Sequence, residues 1–185
     1  MTDARIATPA DILAFWLKAG RDRWYSHDEG FDAEIRNRFL ATWQKAAAGE
    51  LSSWETSDEG ALALTIVLDQ FPRNLFRGDA KTFSSDALAR GVASRAIGRG
   101  VDTRTAPVLR EFLYLPFEHS EDLDDQQRCV TLFRQYDCHP DNLRYAEDHA
   151  DIIRRFGRFP HRNRVLGRQT TAEEQTFLDA GGFSG

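Results

Sequence analysis

Apolar residues recur along this chain at the three- and four-residue spacing of α-helices. Ile35, Phe39, Leu40 and Trp43 are one example, and Gly49 follows them as a C-terminal stop. No segment shows the sustained alternation of apolar and polar residues that is typical of a strand. The pattern therefore predicts an all-α fold. Because the connections between helices are mostly short, we expect antiparallel helix hairpins.

Capping residues, prolines and glycines set the ends of the predicted helices. In chain order these helices cover about 9–18, 31–48, 57–71, 85–99 and 105–115, then a helix opened by Ser120, one over 140–156, a short turn after Pro160 and a last helix after Thr171. The helix over 57–71 is apolar on almost all sides, which is typical of a helix covered by neighbours. The final residues 181–185, Gly-Gly-Phe-Ser-Gly, are expected to fray.

Three proline-containing segments carry an unusual number of polar side chains. They are Asp69-Gln-Phe-Pro-Arg-Asn74, Leu115-Pro-Phe-Glu-His-Ser120 and Arg158-Phe-Pro-His-Arg-Asn163. Proline removes a backbone donor and clashes with the preceding helical turn, so each segment is interpreted as an elbow between helices. We expect the three elbows to bring their ionisable and amide side chains to one place.

Composition limits the classes of function. The 185 residues are predicted to form one domain over 1–185, and the net charge of −5 argues against nucleic-acid binding. The longest apolar run is far shorter than a membrane span, and Met1–Arg5 does not resemble a secretory signal. Two cysteines nine residues apart match no zinc or redox motif. These features favour a cytoplasmic protein without a membrane association.

Three polar residues on predicted helices need partners. Asp69 lies in a last helical turn, where the helix dipole disfavours an acid. Gln126 and His149 fall within apolar stripes. Each has a structural interpretation, an Asp–Arg pair for Asp69 and a satisfied core side chain for the other two, and each has a functional one as part of a site.

The three segments in this order and at these separations resemble the bacterial family known as domain of unknown function 924. The resemblance covers nearly the whole chain. It implies an all-α fold similar to tetratricopeptide-repeat domains, with helix hairpins stacked in a superhelix. It implies no activity, cofactor or partner, but it suggests that the polar residues of the three elbows belong together.

The chemistry of these residues favours acid–base work over other mechanisms. His119, His149 and His161 could supply metal ligands, but no zinc-binding motif is present, and we expect neither a metal nor another cofactor. No Ser, Cys or Thr lies in a recognised nucleophile motif. Glu118, His119 and Asp69 are the candidate acid–base residues. The candidate ligand-binding residues are Gln70, Arg73, Asn74, Tyr114, Gln126, His149, Arg158, His161, Arg162 and Asn163, among which the arginines could hold a carboxylate or phosphate.

Two kinds of function remain open from the sequence. The first is a helical-repeat-like module that binds a peptide or protein in a groove lined by exposed aromatics such as Trp24 or Tyr25. The second is a small-molecule or anion-binding protein, or an acid–base enzyme, with its site at the elbows. A third interpretation treats the elbow residues as a buried network that only fixes the packing.

Overall fold

The computed structural model describes residues 5–136 and 138–183, and within these ranges the secondary structure is helical, without a strand. The α-helices are α1 (Pro9–Ala19), α2 (Arg21–Trp24), α3 (Glu29–Ala47), α4 (Asp58–Leu75), α5 (Asp86–Gly98), α6 (Val101–Arg104), α7 (Pro107–Arg110), α8 (Leu115–Glu118), α9 (Leu123–Gln135), α10 (Pro140–Phe156) and α11 (Ala172–Asp179). Short 3-10 segments cover Ser52–Thr56, Ala80–Phe83, Glu111–Leu113 and Pro160–Arg162. The all-α prediction is confirmed.

Helix α4 is the central element of the fold. Fifteen of its 18 residues are buried, because α1, α3 and α5 pack around it. Aromatic rings fill the space between α4 and α1, with the ring of Phe71 lying 5.7 Å from Trp16 and 6.4 Å from Phe15. Helices α9 and α10, which are neighbours in the chain, pack against each other, and both contact α8. The arrangement of these hairpins as a tetratricopeptide-repeat-like superhelix stays a prediction.

Pro72 does not form an elbow, contrary to the prediction. It lies inside α4, which continues to Leu75. A proline at this position cannot donate to the carbonyl of Leu68 four residues earlier. The hydroxyl of Ser85 donates to that carbonyl instead, at 2.6 Å. Ser85 was predicted as a helix cap, and its side chain is used to complete a neighbouring helix.

The second predicted elbow also differs from the sequence interpretation. Pro116 lies in the first turn of α8 rather than at the end of a helix. The cap of α9 is Asp122, whose side chain accepts from the backbone of Asp124 and Asp125, so the prediction of Ser120 as the cap was wrong. Ser and Asp cap helices about equally well, which is why spacing alone could not choose between them.

Several helix ends follow the sequence signals. Thr171 and Glu174 form the expected capping box of α11. Gly157 ends α10 with φ of 68°, a conformation that residues with a Cβ rarely adopt. Within the described ranges, no helix has the length and apolar character that crossing a bilayer requires. The N-terminal residues 1–4 that entered the signal-peptide prediction lie outside the described residues.

Candidate functional site

Asp69, on the last part of α4, is the centre of a buried polar cluster. Its side chain has no exposure to solvent. One carboxylate oxygen lies 2.9 Å from Nδ1 of His119, and the other accepts from Nε2 of Gln70 at 2.6 Å. Burial raises the pKa of Asp69, but the positive charge of Arg73 and the hydrogen bonds from His119 and Gln70 outweigh that effect and lower the pKa to about 2. An ionised carboxylate can only accept, so Nδ1 of His119 carries the proton.

Arg73 links this cluster to the start of α5. Its guanidinium lies 3.5 Å from the Asp69 carboxylate and donates two hydrogen bonds to Asp86, of 3.1 and 3.2 Å. It also donates to the backbone carbonyl of Asp69. Two carboxylates therefore compensate the charge of Arg73. This arrangement corresponds to the structural Asp–Arg pair considered from the sequence. The same carboxylate oxygen of Asp69 also faces His119, so Arg73 helps to orient it.

His119 follows α8 and is the partly accessible member of the cluster, with 16% of its side chain exposed. Burial and the charge of Arg73 lower its pKa, against the opposing effect of Asp69. The ring is therefore neutral at physiological pH, with its proton on Nδ1 toward Asp69. Its Nε2 is then an acceptor, which is the state that a general base needs.

Glu118, the residue before His119, is buried in a different state. Its exposure is 6%, and its Oε2 has no hydrogen-bond partner among the described residues. Its Oε1 lies 3.9 Å from Nδ1 of His149. Burial, with the negative charges of Asp69 and Glu111, raises the pKa of Glu118 to about 8. Glu118 is therefore a neutral carboxylic acid at physiological pH, close to an ionised aspartate.

Gln126 on α9 fixes the turn that carries Glu118 and His119. Its Nε2 donates to the backbone carbonyls of Glu118 at 2.6 Å and of Ser120 at 2.7 Å. The residue is fully buried, and its Oε1 has no partner within the described residues. The side chain therefore positions the site through the backbone.

Arg162, in the 3-10 segment Pro160–Arg162, approaches the same turn from another direction. It is 7% exposed and donates to the backbone carbonyl of His119 at 3.0 Å. The guanidinium carbon lies 4.5 Å from the ring centre of Phe83 and 4.3 Å from that of Phe159. Among the described residues no carboxylate lies within ion-pair distance of this guanidinium, and its Nε has no hydrogen-bond partner. Burial and the charge of Arg73 lower its pKa to about 10, so it stays charged.

Two further histidines surround Phe159, beside Arg162. The ring centre of Phe159 lies 5.5 Å from that of His149 and 5.6 Å from that of His161. Nδ1 of His149 lies 2.8 Å from the carbonyl of Tyr145. Burial lowers the pKa of His149 to about 4 and that of His161 to about 3. Both rings are neutral at physiological pH.

The elbows bring together only part of the residues that the sequence nominated. Asp69, Gln70, Arg73, Glu118, His119, Gln126, His149, His161 and Arg162 lie in the region just described. Asn74, Tyr114, Arg158 and Asn163 do not, because they bond instead to Asp32, to Asp102 and, for the last two, to Glu174. These contacts hold other elements together. Nine of the thirteen candidates therefore lie in this region, and their role as a site stays a prediction.

Sequence reasoning missed three residues of this region. Asp86 compensates Arg73, and the rings of Phe83 and Phe159 enclose Arg162. Asp86 lies in the first turn of α5, where an acid is favourable without any further role. Phe83 carries no local signal, because its contact with Arg162 joins segments almost 80 residues apart in the chain.

The structure also bears on the predicted aromatic groove and on the histidines considered as metal ligands. Trp24 is 7% exposed, and its indole donates to the carbonyl of Trp16 at 2.7 Å, so it does not line an open groove. Tyr25 is exposed, but its hydroxyl donates to Glu111 at 3.1 Å. The described part of the chain contains no group of three or more His, Cys, Asp or Glu side chains arranged to hold a metal ion.

The chain was compared with known protein families, curated proteins and solved structures. No protein with a curated description matches the chain. The solved structure of a protein of unknown function, ATU0120 from Agrobacterium tumefaciens, is 47% identical and has a TM-score of 0.90. The match covers 94% of this chain and 97% of that one. The family described as "Bacterial protein of unknown function (DUF924)" matches residues 12–182. The chain therefore belongs to the DUF924 family.

Proposed function

We propose that this protein binds a small anionic molecule, a carboxylate or a phosphate, at Arg162, and that His119 and Glu118 exchange protons with it. The observation that carries this proposal is the charge of Arg162. The guanidinium is 7% exposed, yet no acidic side chain among the described residues pairs with it. A buried charge without a counter-charge is strongly unfavourable, so buried arginines normally have an anionic partner.

The free donors of Arg162 indicate the shape of that partner. Nη1 is already bonded to the carbonyl of His119, whereas Nε has no partner within the described residues. Nε and Nη2 form one edge of the guanidinium, which binds two oxygens of a carboxylate or phosphate side by side. The rings of Phe83 and Phe159 hold the plane of the group fixed. The ligand is therefore expected to present two coplanar oxygens.

The neighbouring titratable groups support proton transfer to such a ligand. His119 is neutral with an acceptor nitrogen, and Asp69 orients its ring at 2.9 Å. Glu118 is the complementary group, because a pKa raised to about 8 keeps it protonated and able to donate. Environments that separate the pKa values of neighbouring groups are typical of acid–base pairs. We therefore assign His119 the role of base and Glu118 that of acid.

The alternative of a peptide-binding module receives less support. The aromatic groove that would favour it cannot include Trp24, which is buried. No other observation on the described surface specifies a peptide partner. The interpretation of the polar residues as a purely structural network accounts for Arg73 and Gln126, but it leaves Arg162 without an acidic partner among the described residues.

Thermal unfolding with added anions tests the proposal. Phosphate, sulfate, acetate and methylphosphonate are compared with chloride at equal ionic strength, for the wild type, Arg162→Gln and Arg38→Gln. Arg38 is the matched control, because it is an arginine on α3 with 47% of its side chain exposed. A ligand that binds only the folded state adds about 2.7 kcal/mol to the free energy of unfolding at a hundred times its Kd. The midpoint temperature therefore rises with the ligand concentration.

We expect at least one anion to raise the midpoint of the wild type and of Arg38→Gln, but not that of Arg162→Gln. Circular dichroism establishes that Arg162→Gln is folded before its response is interpreted. General stabilisation by excluded salts acts on all three proteins equally. An equal response of the three proteins, or none in the wild type, would refute the anion site.

A further inference from the structure

The C-terminal turn after α11 has a defined geometry. Gly181 has φ of 78°, its amide donates to the carbonyl of Leu178 at 3.1 Å, and the amide of Gly182 donates to that of Phe177 at 3.0 Å. These two bonds make a Schellman motif, which reverses the chain at the end of a helix. Residues 181–183, for which the sequence predicts fraying, thus have a defined conformation here, whereas Ser184 and Gly185 lie outside the described residues.

Gly182 is required for this turn. A Cβ at this position would lie 2.5 Å from the ring of Phe177 and 2.6 Å from the carbonyl of the same residue. Such distances are not tolerated without a shift of the backbone. The close approach fixes the direction in which the next residue, Phe183, leaves the turn.

Phe183 lies against the two neutral histidines of the candidate site. Its ring centre is 4.4 Å from that of His149 and 5.1 Å from that of His161, with interplanar angles of 62° and 78°. These are edge-to-face contacts, the arrangement that aromatic rings prefer. Phe183 remains 37% exposed. It also lines a cavity of about 320 Å³ between α10 and α11, together with His149, Tyr145, Ile152, Phe156 and Phe177.

We propose that the space occupied by Phe183 is a subsite for an aromatic ring of the ligand, and that Phe183 competes for it as an internal occupant. The ring already present shows which chemistry fits, a planar apolar group edge-on to two imidazoles. The subsite lies next to Arg162, since Phe159 contacts both histidines and the guanidinium. This proposal rests on the proposed function, because the ring belongs to the same anionic ligand. That ligand would then be an aromatic carboxylate or an aromatic phosphate.

Phe183 is suited to displacement. It is more than one third exposed and lies outside α11, which ends at Asp179. Its ring contacts are with His149 and His161, and a single contact of this kind is worth little by itself. Exposed segments with few buried apolar contacts open more easily than the helices that they follow. An incoming ring can therefore replace it without disturbing α10 or α11.

Carbethoxylation of histidines by diethyl pyrocarbonate, followed by peptide mass spectrometry, tests the subsite independently of any anion. The reagent modifies neutral imidazoles, and His149 and His161 are both neutral at physiological pH. The rates at these two residues are compared between the wild type, Phe183→Ala and Gly182→Ala, with and without benzamide, an uncharged aromatic probe. Leu88→Ala truncates another exposed apolar side chain and is the control variant.

We expect both tail variants to raise the modification rates of His149 and His161 by roughly three- to tenfold, as the loss of two ring contacts implies. Benzamide should lower these rates again in Phe183→Ala, where the subsite is open. His27 and His139 should react at the same rate throughout. Unchanged rates in both tail variants would refute the claim that Phe183 shields the two histidines. A rise that benzamide does not reverse would refute the ring subsite. Neither result affects the anion test at Arg162, which fails or holds by itself.

Discussion

Substitution of Glu118 by glutamine is expected to change how stability depends on pH. Glu118 is 6% exposed, and burial raises its pKa from 4.5 to about 8 in the folded protein. A raised folded-state pKa contributes stability below pH 4.5, and that contribution is lost as the pH rises through about 8. In the Glu118→Gln variant the side chain is neutral at every pH. The variant therefore does not lose stability through this residue as the pH rises.

The magnitude follows from the two pKa values. A difference of one pH unit is worth about 1.4 kcal/mol, so the wild type loses about 3 kcal/mol between about pH 5 and about pH 8 through Glu118 alone. The amide adds a buried N–H, and leaving it without a partner costs about 1–3 kcal/mol at every pH. This constant cost shifts the variant's free energy of unfolding by the same amount at every pH and does not change its dependence on pH. The free energy of unfolding of Glu118→Gln relative to the wild type should thus rise by about 3 kcal/mol across this range.

Urea unfolding followed by circular dichroism, at a series of pH values between about 5 and 8, measures this difference. Glu173→Gln is the control, because Glu173 is a glutamate on α11 with 64% of its side chain exposed. Water solvates such a carboxylate in both the folded and the unfolded state, so its removal should leave the pH dependence nearly unchanged. Parallel curves for the wild type and Glu118→Gln would show that Glu118 is ionised in the folded protein, and the acid role proposed for it would fall.

Two further predictions concern the elements that hold the cluster. Asp69→Asn should destabilise by about 3–5 kcal/mol near neutral pH, because it removes one of the two carboxylates that compensate the buried charge of Arg73. Since the folded-state pKa of Asp69 is lowered to about 2, the difference from the wild type should shrink by about 1 kcal/mol by about pH 3. Ser85→Ala should cost about 2–4 kcal/mol, because the carbonyl of Leu68 loses its donor and the indole of Trp43 loses its acceptor. Denaturant unfolding should show a smaller cost in a Pro72→Ala background, where residue 72 can donate to the carbonyl of Leu68. Equal costs in the two backgrounds would disprove that link.

The helices of this protein were largely predictable from the sequence. Helix α10, for example, was predicted over 140–156 and is observed over Pro140–Phe156. Local signals were sufficient there, because proline at the start and glycine at the end act within one turn. The central position of α4 also followed from its apolar character on almost all sides. The two errors at Pro72 and Pro116 share a cause, since the effect of a proline depends on what replaces the missing donor.

For Pro72 that replacement is Ser85, which comes from the next long helix. No pattern within residues 57–75 contains this information. The cap of α9 shows a smaller limit of the same kind, because Ser120 and Asp122 are both good capping residues and the cap is Asp122. Local sequence thus predicted most of the helical segments, and a long-range contact decided how α4 continues past Pro72.

The sequence by itself determined the all-α class, the central apolar helix and the presence of three polar segments. Only the tertiary structure decided which of their side chains meet. It placed Asn74, Tyr114, Arg158 and Asn163 in other contacts, and it enclosed Arg162 between two aromatic rings without an acidic partner among the described residues. The physical reason is that helix formation depends on residues a few positions apart, whereas the charge state of a buried group depends on everything that packing brings around it.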